Sequence, residues 1–497
     1  MDKIIQNIRS KVISSNLEDS LRLAKLYGNL MWNNQSESFV DLDLETILYE
    51  KLVNSGFKPK VNQVRYRSAM LHCLTEAYDS GGHTRVVERL ATERHFYEHQ
   101  DVLITGICSK NALQHFNARG ITICTQRKSG LDAISEITEL MSRYGYVLLH
   151  INPDDIISAL AARFLKGSGT RIGLYNHADH CFTFGITSCD VVFEVSSLGT
   201  EIGRRYRKLV LSGFAGIPLD FPCLPPKTEE LPYVLSSGSA YKYDLRSGSL
   251  FTKAVGSLLM RSQLSLVIIG IGRLPKNACK SLTRFQEEGR LKILPHVSRA
   301  TYLDHLKRAS CYLDSYPVCG GSAFPEAVIY EKKCVGLKCK VMGYSPADML
   351  RVSNVELLLD KILMDDSCRD PFDRDLMWQV HAPENVLKRI VDGLVFGSLH
   401  PSPLCLSHDD YESNISSLNF TWYENNGFRE PGIDDLTLQQ RLDFLWLLLR
   451  LGTLFSQIRC KGLFGVIRYF LSTTWFRRWR ARVSIRSIVL DWRMRLR

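Results

Sequence analysis

The sequence has few closely spaced cysteines. Its 14 cysteines are scattered over 497 residues without a CxxC pair, and the closest two are Cys334 and Cys339. This spacing excludes the usual zinc modules and argues against a disulfide framework. We therefore expect reduced and mostly buried thiols, as in proteins of a reducing compartment.

Long uninterrupted hydrophobic runs are also missing. The N-terminal stretch MDKIIQNIRSKVISS lacks the continuous apolar core of a secretory signal, and the chain shows neither an internal repeat nor a low-complexity tract. A composition of 45% hydrophobic and 23% charged residues is typical of a folded globular protein. The length predicts roughly three structural units, and we expect a cytoplasmic location.

The first 440 residues carry no net charge, so the whole excess of +11 lies in residues 441–497. This tail holds thirteen Arg or Lys residues against Asp443 and Asp491, together with four of the seven tryptophans. Charges interrupt every apolar stretch that could span a bilayer. Tryptophan beside arginine on an amphipathic helix is instead typical of an anionic membrane surface.

The tail therefore predicts peripheral association with the inner face of a membrane. A helical cap that packs on the rest of the protein is the alternative, because apolar stripes also cover cores. Nucleic acid is not an expected partner, since the remainder of the chain is neutral.

The order of apolar segments predicts an α/β protein with two tandem Rossmann-like domains. Residues 1–65 form a polar helical region, and residues 66–222 alternate short β-rich runs with amphipathic stretches. Four prolines in FPCLPPKTEELP, residues 221–232, indicate a linker. A second alternating series covers residues 223–395, and residues 396–497 contain a further linker and the tail. Two facing parallel sheets predict an interdomain cleft at the carboxyl ends of their strands.

A glycine pair follows the first predicted strand. Gly81 and Gly82 allow backbone amides to approach an anion or an acceptor group, and a helix begins directly after them. His83 stands where a side chain can act as a general base or bind a diphosphate, with Thr84 beside it. A plain strand-to-helix connection is the alternative interpretation.

A polar segment, Asn176-His177-Ala178-Asp179-His180, follows another strand of the first series. His177 and His180 have useful spacing for a metal, but further ligands are missing nearby, so no metal site is expected. A structural network of polar groups is one possibility. We instead predict that Asn176, His177, Asp179 and His180 line the cleft and contact sugar or acceptor.

In the second series, the segment SGSAYKYDL contains Gly238, Tyr241 and Lys242 at the end of a predicted strand. A lysine in this position can meet a diphosphate as a point charge. The alternative is an exposed surface lysine, because most lysines lie on the surface.

The run LDSYPVCGGSAFPEA, residues 313–327, is the most informative part of the sequence. A strand leads into a turn where Gly320, Gly321 and Ser322 offer amides and a hydroxyl to a phosphate at the start of a helix. Glu326 follows one turn later and is placed to accept hydrogen bonds from ribose hydroxyls. An acidic residue in the first turn of a helix also occurs simply to stabilise the helix dipole.

Together, GGHTRVVERL, NHADHCFTFG, SGSAYKYDL and LDSYPVCGGSAFPEA resemble the GT-B glycosyltransferases. The similarity is closest to the branch of O-GlcNAc transferase and the bacterial cytoplasmic N-glycosyltransferases, and it covers about residues 68–395. The resemblance implies that Lys242, Gly320, Gly321 and Ser322 bind the donor diphosphate and that Glu326 holds the ribose. It also implies a base or acceptor contact at His83 and a place beside the nucleotide base for His296.

The resemblance thus predicts a metal-independent glycosyltransferase that uses a nucleotide-sugar, with UDP as the expected nucleotide, and needs no other cofactor. Tetratricopeptide repeats are missing before residue 68, and the phosphate turn lacks the histidine and threonines of the O-GlcNAc enzymes. With the basic tail, these differences favour a membrane-associated glycan acceptor, such as lipopolysaccharide or a lipid-linked oligosaccharide. Transfer to protein side chains and an inactive GT-B scaffold are the alternatives.

Overall fold

The protein is represented by a computed structural model. The structure describes residues 2–34, 38–78, 82–93, 99–125, 128–207, 211–223, 230–275, 277–339, 341–364 and 373–404. Gly81 and the tail of residues 441–497 lie outside these ranges.

The first domain is built on a seven-stranded parallel sheet with the order β3-β2-β1-β4-β5-β6-β7. Its strands are β1 (Tyr66–Leu74), β2 (His99–Ile104), β3 (Ile123–Thr125), β4 (Tyr144–His150), β5 (Arg171–Asn176), β6 (Val191–Glu194) and β7 (Ser212–Phe214). Its crossover helices are α4 (Gly82–Thr92), α5 (Lys110–Ala118), α6 (Gly130–Met141), α7 (Ile156–Arg163) and α8 (Ser197–Arg205). The central strands are mostly buried on both faces, as a parallel sheet covered by helices on both sides requires.

Three helices precede the first strand and form part of this domain. They are α1 (Asp2–Ser14), α2 (Leu17–Asn34) and α3 (Leu42–Asn54). Leu26 and Leu30 of α2 and Leu48 of α3 share one buried cluster with residues of β1, β4, α6 and α7. The N-terminal helices therefore complete the hydrophobic core on one side of the first sheet.

The second domain contains a six-stranded parallel sheet with the order β10-β9-β8-β11-β12-β13. Its strands are β8 (Leu231–Ser237), β9 (Ser265–Ile269), β10 (Leu291–Leu294), β11 (Ala309–Leu313), β12 (Cys334–Leu337) and β13 (Arg351–Val352). Its helices are α9 (Leu250–Arg261), α10 (Lys280–Glu287), α11 (Arg299–Arg308), α12 (Ala323–Ile329) and α13 (Val355–Leu363). Two tandem Rossmann-like domains, predicted from the sequence, are thus confirmed.

The chain then returns to the first domain through α14 (Arg374–His381) and α15 (Pro383–Phe396). Val386, Leu387 and Ile390 of α15 pack in one cluster with Met70 of β1 and Tyr175 of β5. At the end of this passage, the carbonyl of His400 accepts a hydrogen bond from the amide of Phe214 in β7. The last described segment therefore lies against the outer strand of the first sheet, although it follows the second domain in sequence.

Candidate functional site

Four histidines meet at the carboxyl end of the first sheet. His72 lies in β1, His150 ends β4, His177 follows β5 and His83 lies in the first turn of α4. His72 Nδ1 is 3.0 Å from His150 Nε2, and His150 Nδ1 is 2.9 Å from His177 Nε2. The rings of His83 and His177 stack with their centroids 4.0 Å apart. The structure thus brings together two histidines that the sequence singled out, and adds two more behind them.

Burial controls the protonation of this histidine cluster. It lowers the pKa of His72 and His83 to about 4 and holds the pKa values of His150 and His177 well below the ordinary value. All four imidazoles are therefore neutral near pH 7. A neutral imidazole has one unprotonated nitrogen, and this is the form that can accept a proton from a hydroxyl group.

Sequence reasoning missed His72 and His150 because they lie within the apolar strand segments MLHCL and VLLHI. Both side chains are buried, at 0% and 1% exposure. A polar residue inside a buried parallel strand was the available signal, since such a residue needs a hydrogen-bond partner.

Asn176 and Asp179 are not part of a cleft wall, so the prediction for these two residues was wrong. Asn176 donates a hydrogen bond of 2.8 Å to Glu194, which pairs with the fully buried Arg207 at 3.0 Å. Asp179 is fully buried and accepts hydrogen bonds from the backbone amide and the hydroxyl of Ser196, at 2.7 and 2.6 Å. These hydrogen bonds lie inside the first domain, where they support the connection between β5, β6 and α8.

His180 instead reaches the junction between the two domains. Its Nδ1 atom lies 3.2 Å from the hydroxyl of Tyr344, which belongs to the second domain. A Cβ atom at Gly321 would lie 3.6 Å from the Tyr344 ring, so this ring packs directly on the glycine turn. Nearby, the amide of Ser197 donates a hydrogen bond of 2.8 Å to the carbonyl of Gly343. The segment of residues 176–180 and the turn of residues 320–322 therefore meet at one interface.

Lys242 lies beside the same glycine turn. It ends a short 3-10 turn, Ala240–Lys242, and its Nζ atom is 3.2 Å from the carbonyl oxygen of Cys319. Its backbone carbonyl accepts a hydrogen bond of 3.4 Å from the amide of Val318. Gly238 provides the space for this side chain, because a Cβ atom there would come within 3.3 Å of Lys242 Cδ. Tyr241 is exposed in the same 3-10 turn.

The amide of Gly320 does not point to a ligand, contrary to the sequence prediction. It donates to both oxygens of Asp314, at 3.0 and 3.1 Å, and Asp314 in turn pairs with the buried Arg351. Gly320 therefore fixes the shape of the turn. Gly321 is half-buried and Ser322 is exposed, so their polar groups remain the candidates for contact with a phosphate.

Glu326 is 5% exposed, and both of its carboxylate oxygens accept hydrogen bonds from Arg299. Arg299 also approaches Asp220 at 3.7 Å, and Asp220 pairs with Arg89 of α4 at 2.8 Å. Glu326 thus belongs to a charge network that joins the two domains, and its contact with the ribose stays a prediction. The sequence contained no signal for Arg299, because arginines in a first helical turn are common on surfaces.

Three further predicted residues, His296, Gly82 and Thr84, lie in a loop or at the start of a helix. His296 is exposed in the loop between β10 and α11. Gly82 is the exposed first residue of α4, and the hydroxyl of the buried Thr84 accepts a hydrogen bond of 2.9 Å from the amide of Tyr78. Thr84 therefore connects the first turn of α4 to the segment that follows β1.

Across the described ranges, no group of three or more His, Cys, Asp or Glu side chains is arranged to hold a metal ion. Within the same ranges, no helix combines the length and the apolar character that crossing a bilayer requires.

No protein-family model matches the sequence, and no curated protein sequence does. Solved structures do resemble the chain. The lipopolysaccharide outer core galactosyltransferase WaaB is 16% identical with a TM-score of 0.46, over 67% of this chain and 100% of that one. The O-GlcNAc transferase of Thermobaculum terrenum is 14% identical with a TM-score of 0.45, over 82% of this chain and 80% of that one.

A putative UDP-N-acetylglucosamine 2-epimerase from Listeria monocytogenes is similar to the same degree, with 12% identity and a TM-score of 0.46 over 68% of this chain and 100% of that one. A transferase and an epimerase can share an architecture, so these similarities do not identify the reaction. The chain forms two parallel-sheet domains and then returns to the first domain through its last helices. This is the GT-B arrangement predicted from the sequence.

Proposed function

We propose that the protein is a glycosyltransferase that moves a sugar from a nucleotide-sugar, with UDP as the nucleotide, to a hydroxyl group of an acceptor. One observation carries this proposal. The ammonium group of Lys242 lies at the turn of residues 320–322, and this turn meets the histidine-bearing end of the first sheet through Tyr344 and His180. A cation for a leaving diphosphate and neutral bases for an acceptor hydroxyl thus lie on the two sides of one domain junction.

The proposed chemistry needs only side chains of this protein. The Lys242 ammonium, with the Gly321 amide and the Ser322 hydroxyl, stabilises the negative charge that develops on the nucleoside diphosphate as it leaves. One imidazole of the His83–His177 pair removes the proton from the attacking hydroxyl, because both imidazoles are neutral near pH 7. We propose that the transfer is independent of a metal ion.

The acceptor in this proposal is a membrane-associated glycan, such as lipopolysaccharide or a lipid-linked oligosaccharide. The thirteen basic residues and four tryptophans of residues 441–497 support it, because this composition binds anionic lipid surfaces from one side. The protein would then work as a peripheral protein on the inner face of the membrane. Binding that persists at high salt and without anionic lipid in the vesicles would contradict this part of the proposal.

A thermal-shift screen of UDP-, GDP- and CDP-sugars tests the donor. A ligand present at a hundred times its Kd stabilises a folded protein by about 2.7 kcal/mol, so the correct donor class raises the Tm measurably. We expect UDP-sugars to do so, and Lys242→Ala to abolish the shift. Equal, negligible shifts with all three classes would contradict the proposal.

A labelled donor then separates the acceptors. Incubation with lipid and protein fractions of a lysate should place the label in the glycolipid fraction. Label in protein would instead support transfer to side chains, and a donor that binds without transfer to either fraction would support a scaffold.

A further inference from the structure

The orientation of one buried amide determines the protons of the histidine cluster. Gln100, in β2, donates through Nε2 to the backbone carbonyl of Leu90 at 2.9 Å and to that of Glu93. Carbonyl oxygens only accept hydrogen bonds, so this end of the side chain must be the NH₂ group. Its Oε1 atom consequently faces His72 Nε2 at 2.8 Å and can only accept.

This constraint passes along the three hydrogen-bonded rings. His72 must carry its proton on Nε2, and because it is neutral, its Nδ1 atom is an acceptor. His150 must then donate from Nε2 to His72 Nδ1 over 3.0 Å, which leaves its own Nδ1 as an acceptor. His177 must donate from Nε2 to His150 Nδ1 over 2.9 Å. Gln100, which is separated from His177 by the two rings of His72 and His150, therefore assigns every proton in the row.

The last atom of this row is the unprotonated Nδ1 of His177. Unlike the buried His72 and His150, His177 is partly exposed, and the ring of His83 covers one of its faces at 4.0 Å. We propose that His177 is the catalytic base of the first domain and that Gln100, His72 and His150 are positioning residues that keep its proton on Nε2. This inference rests on the proposed function, because the acceptor hydroxyl is the group that His177 would deprotonate.

The proton balance of the step is simple. The acceptor oxygen forms a bond to the anomeric carbon of the sugar while the bond from that carbon to the diphosphate oxygen breaks, and the diphosphate leaves with the electron pair. The hydroxyl proton passes to His177 Nδ1, so His177 becomes an imidazolium and later releases the proton to water. Because its Nε2–H group already donates to His150, the positive charge that develops on the ring is stabilised by that hydrogen bond.

Among the described residues, few charged groups face these rings. Asp101 in β2 favours the charged form of His72. Neighbouring histidines disfavour charge on His150 and on His177. The ring of Tyr175 lies 4.7 Å from that of His177. The acid limb of the activity profile should therefore report protonation of His177 in this mostly uncharged setting.

Nitrogen-15 NMR of histidine-labelled protein tests the tautomers without any substrate. We expect His72, His150 and His177 to be Nε2–H tautomers at pH 7. In the variants Gln100→Leu and His150→Phe, we expect His177 to become a mixture of tautomers. A wild-type His177 that carries its proton on Nδ1 would overturn the inference, even if neither variant folds.

Kinetics test the role of the base. Outer hydrogen-bond partners of this kind contribute about 10- to 100-fold, so kcat should fall by that factor in Gln100→Leu and His150→Phe with an unchanged KM for the donor. Loss of the base in His177→Gln should cost about 100-fold or more and remove the acid limb of the pH profile. The control is His115→Gln, an exposed histidine of α5, with wild-type kinetics expected. Wild-type kcat in the two positioning variants would overturn the inference.

Failure of the proposed function gives a different result. If no acceptor is found, the rate at which water hydrolyses the donor replaces the transfer rate as the kinetic measurement. The thermal shift caused by the donor separately measures donor binding to the second domain. Absence of donor binding together with the expected tautomers would reject the proposed function and leave the assignment of protons intact.

Discussion

At the scale of single residues, Lys242 has the clearest expected effect. Its ammonium group lies 3.2 Å from the Cys319 carbonyl, beside the turn where the diphosphate is proposed to bind. Lys242→Met keeps the length of the side chain and removes the charge that stabilises the leaving group. We expect kcat to fall by about 100-fold or more, as for other losses of a transition-state donor.

The matched control is Lys253→Met in α9, which changes an exposed lysine of the same domain. Its kcat should remain that of the wild type when both variants are assayed with the same UDP-sugar. Equal kcat values for the two variants would show that Lys242 does not act on the donor.

Individual residues also show what the sequence could and could not predict. His83 and His177 could be singled out because each follows a predicted strand in the sequence, at the end of the sheet where ligands bind; in the structure His177 follows β5 and His83 lies in the first turn of α4. Asp179 was placed wrongly, because a sequence does not show whether a loop carboxylate faces a cleft or accepts hydrogen bonds from its own domain. The pairing of Glu326 with Arg299 was not predictable for a related reason, since the two residues lie 27 positions apart in the sequence.

At the scale of elements, one carboxylate connects the three N-terminal helices. Asp41 caps α3 by accepting a hydrogen bond from the Leu44 amide at 3.0 Å. It also accepts from Arg9 of α1, at 2.6 and 3.0 Å, and from the hydroxyl of Tyr27 of α2 at 2.8 Å. We expect Asp41→Ala to lower the free energy of unfolding by about 3 kcal/mol, because a cap and charged hydrogen bonds are lost together.

Urea unfolding measures this loss, and Asp43→Ala provides the comparison. Asp43 lies in the first turn of the same helix but is exposed, so its replacement should change stability by less than about 0.5 kcal/mol. A similar small change for Asp41→Ala would mean that the N-terminal helices do not depend on this carboxylate.

The elements of the two sheets were largely predictable from hydrophobic pattern. Runs such as YVLLHIN and LSLVIIGIG became β4 and β9, because β-branched and apolar residues suit strands that are buried on both faces. The strands β7 and β13 were not predictable in this way, since three and two residues are too few to show a pattern. The packing of α15 on the first sheet was also not predictable, because sequence order places it after the second domain.

At the scale of the whole molecule, buried histidines make stability depend on pH. Burial lowers the pKa of His381 to about 4, as it does for His72 and His83, against an ordinary value of 6.5. Between these values, the unfolded chain binds more protons at these three histidines than the folded protein does, so their contribution to stability falls as the pH falls from about 6.5 to about 4. Above about pH 6.5, this contribution is fully present.

His381 allows this prediction to be tested at the linker between the domains. Its Nδ1–H group donates to the Ile217 carbonyl at 2.7 Å, and Arg389, Asp348 and Arg89 are the charged groups that influence it. The amide of His381→Asn can still donate a hydrogen bond to the Ile217 carbonyl, but it does not titrate in this pH range. Urea unfolding at pH 7.5 and 5 should show a smaller loss of stability on acidification than in the wild type. An identical loss in both proteins would contradict the assignment to His381.

The return of the chain through α15 means that the second domain is inserted within the first. Both chain connections of the second domain therefore lead to the first domain. Arg389 of α15 donates a hydrogen bond of 2.8 Å to the Ala215 carbonyl, next to the segment that leads from the first domain into the second. The second domain is therefore tied to the first by two connections that lie side by side. Any change in the angle between the two domains must bend both connections at the same place.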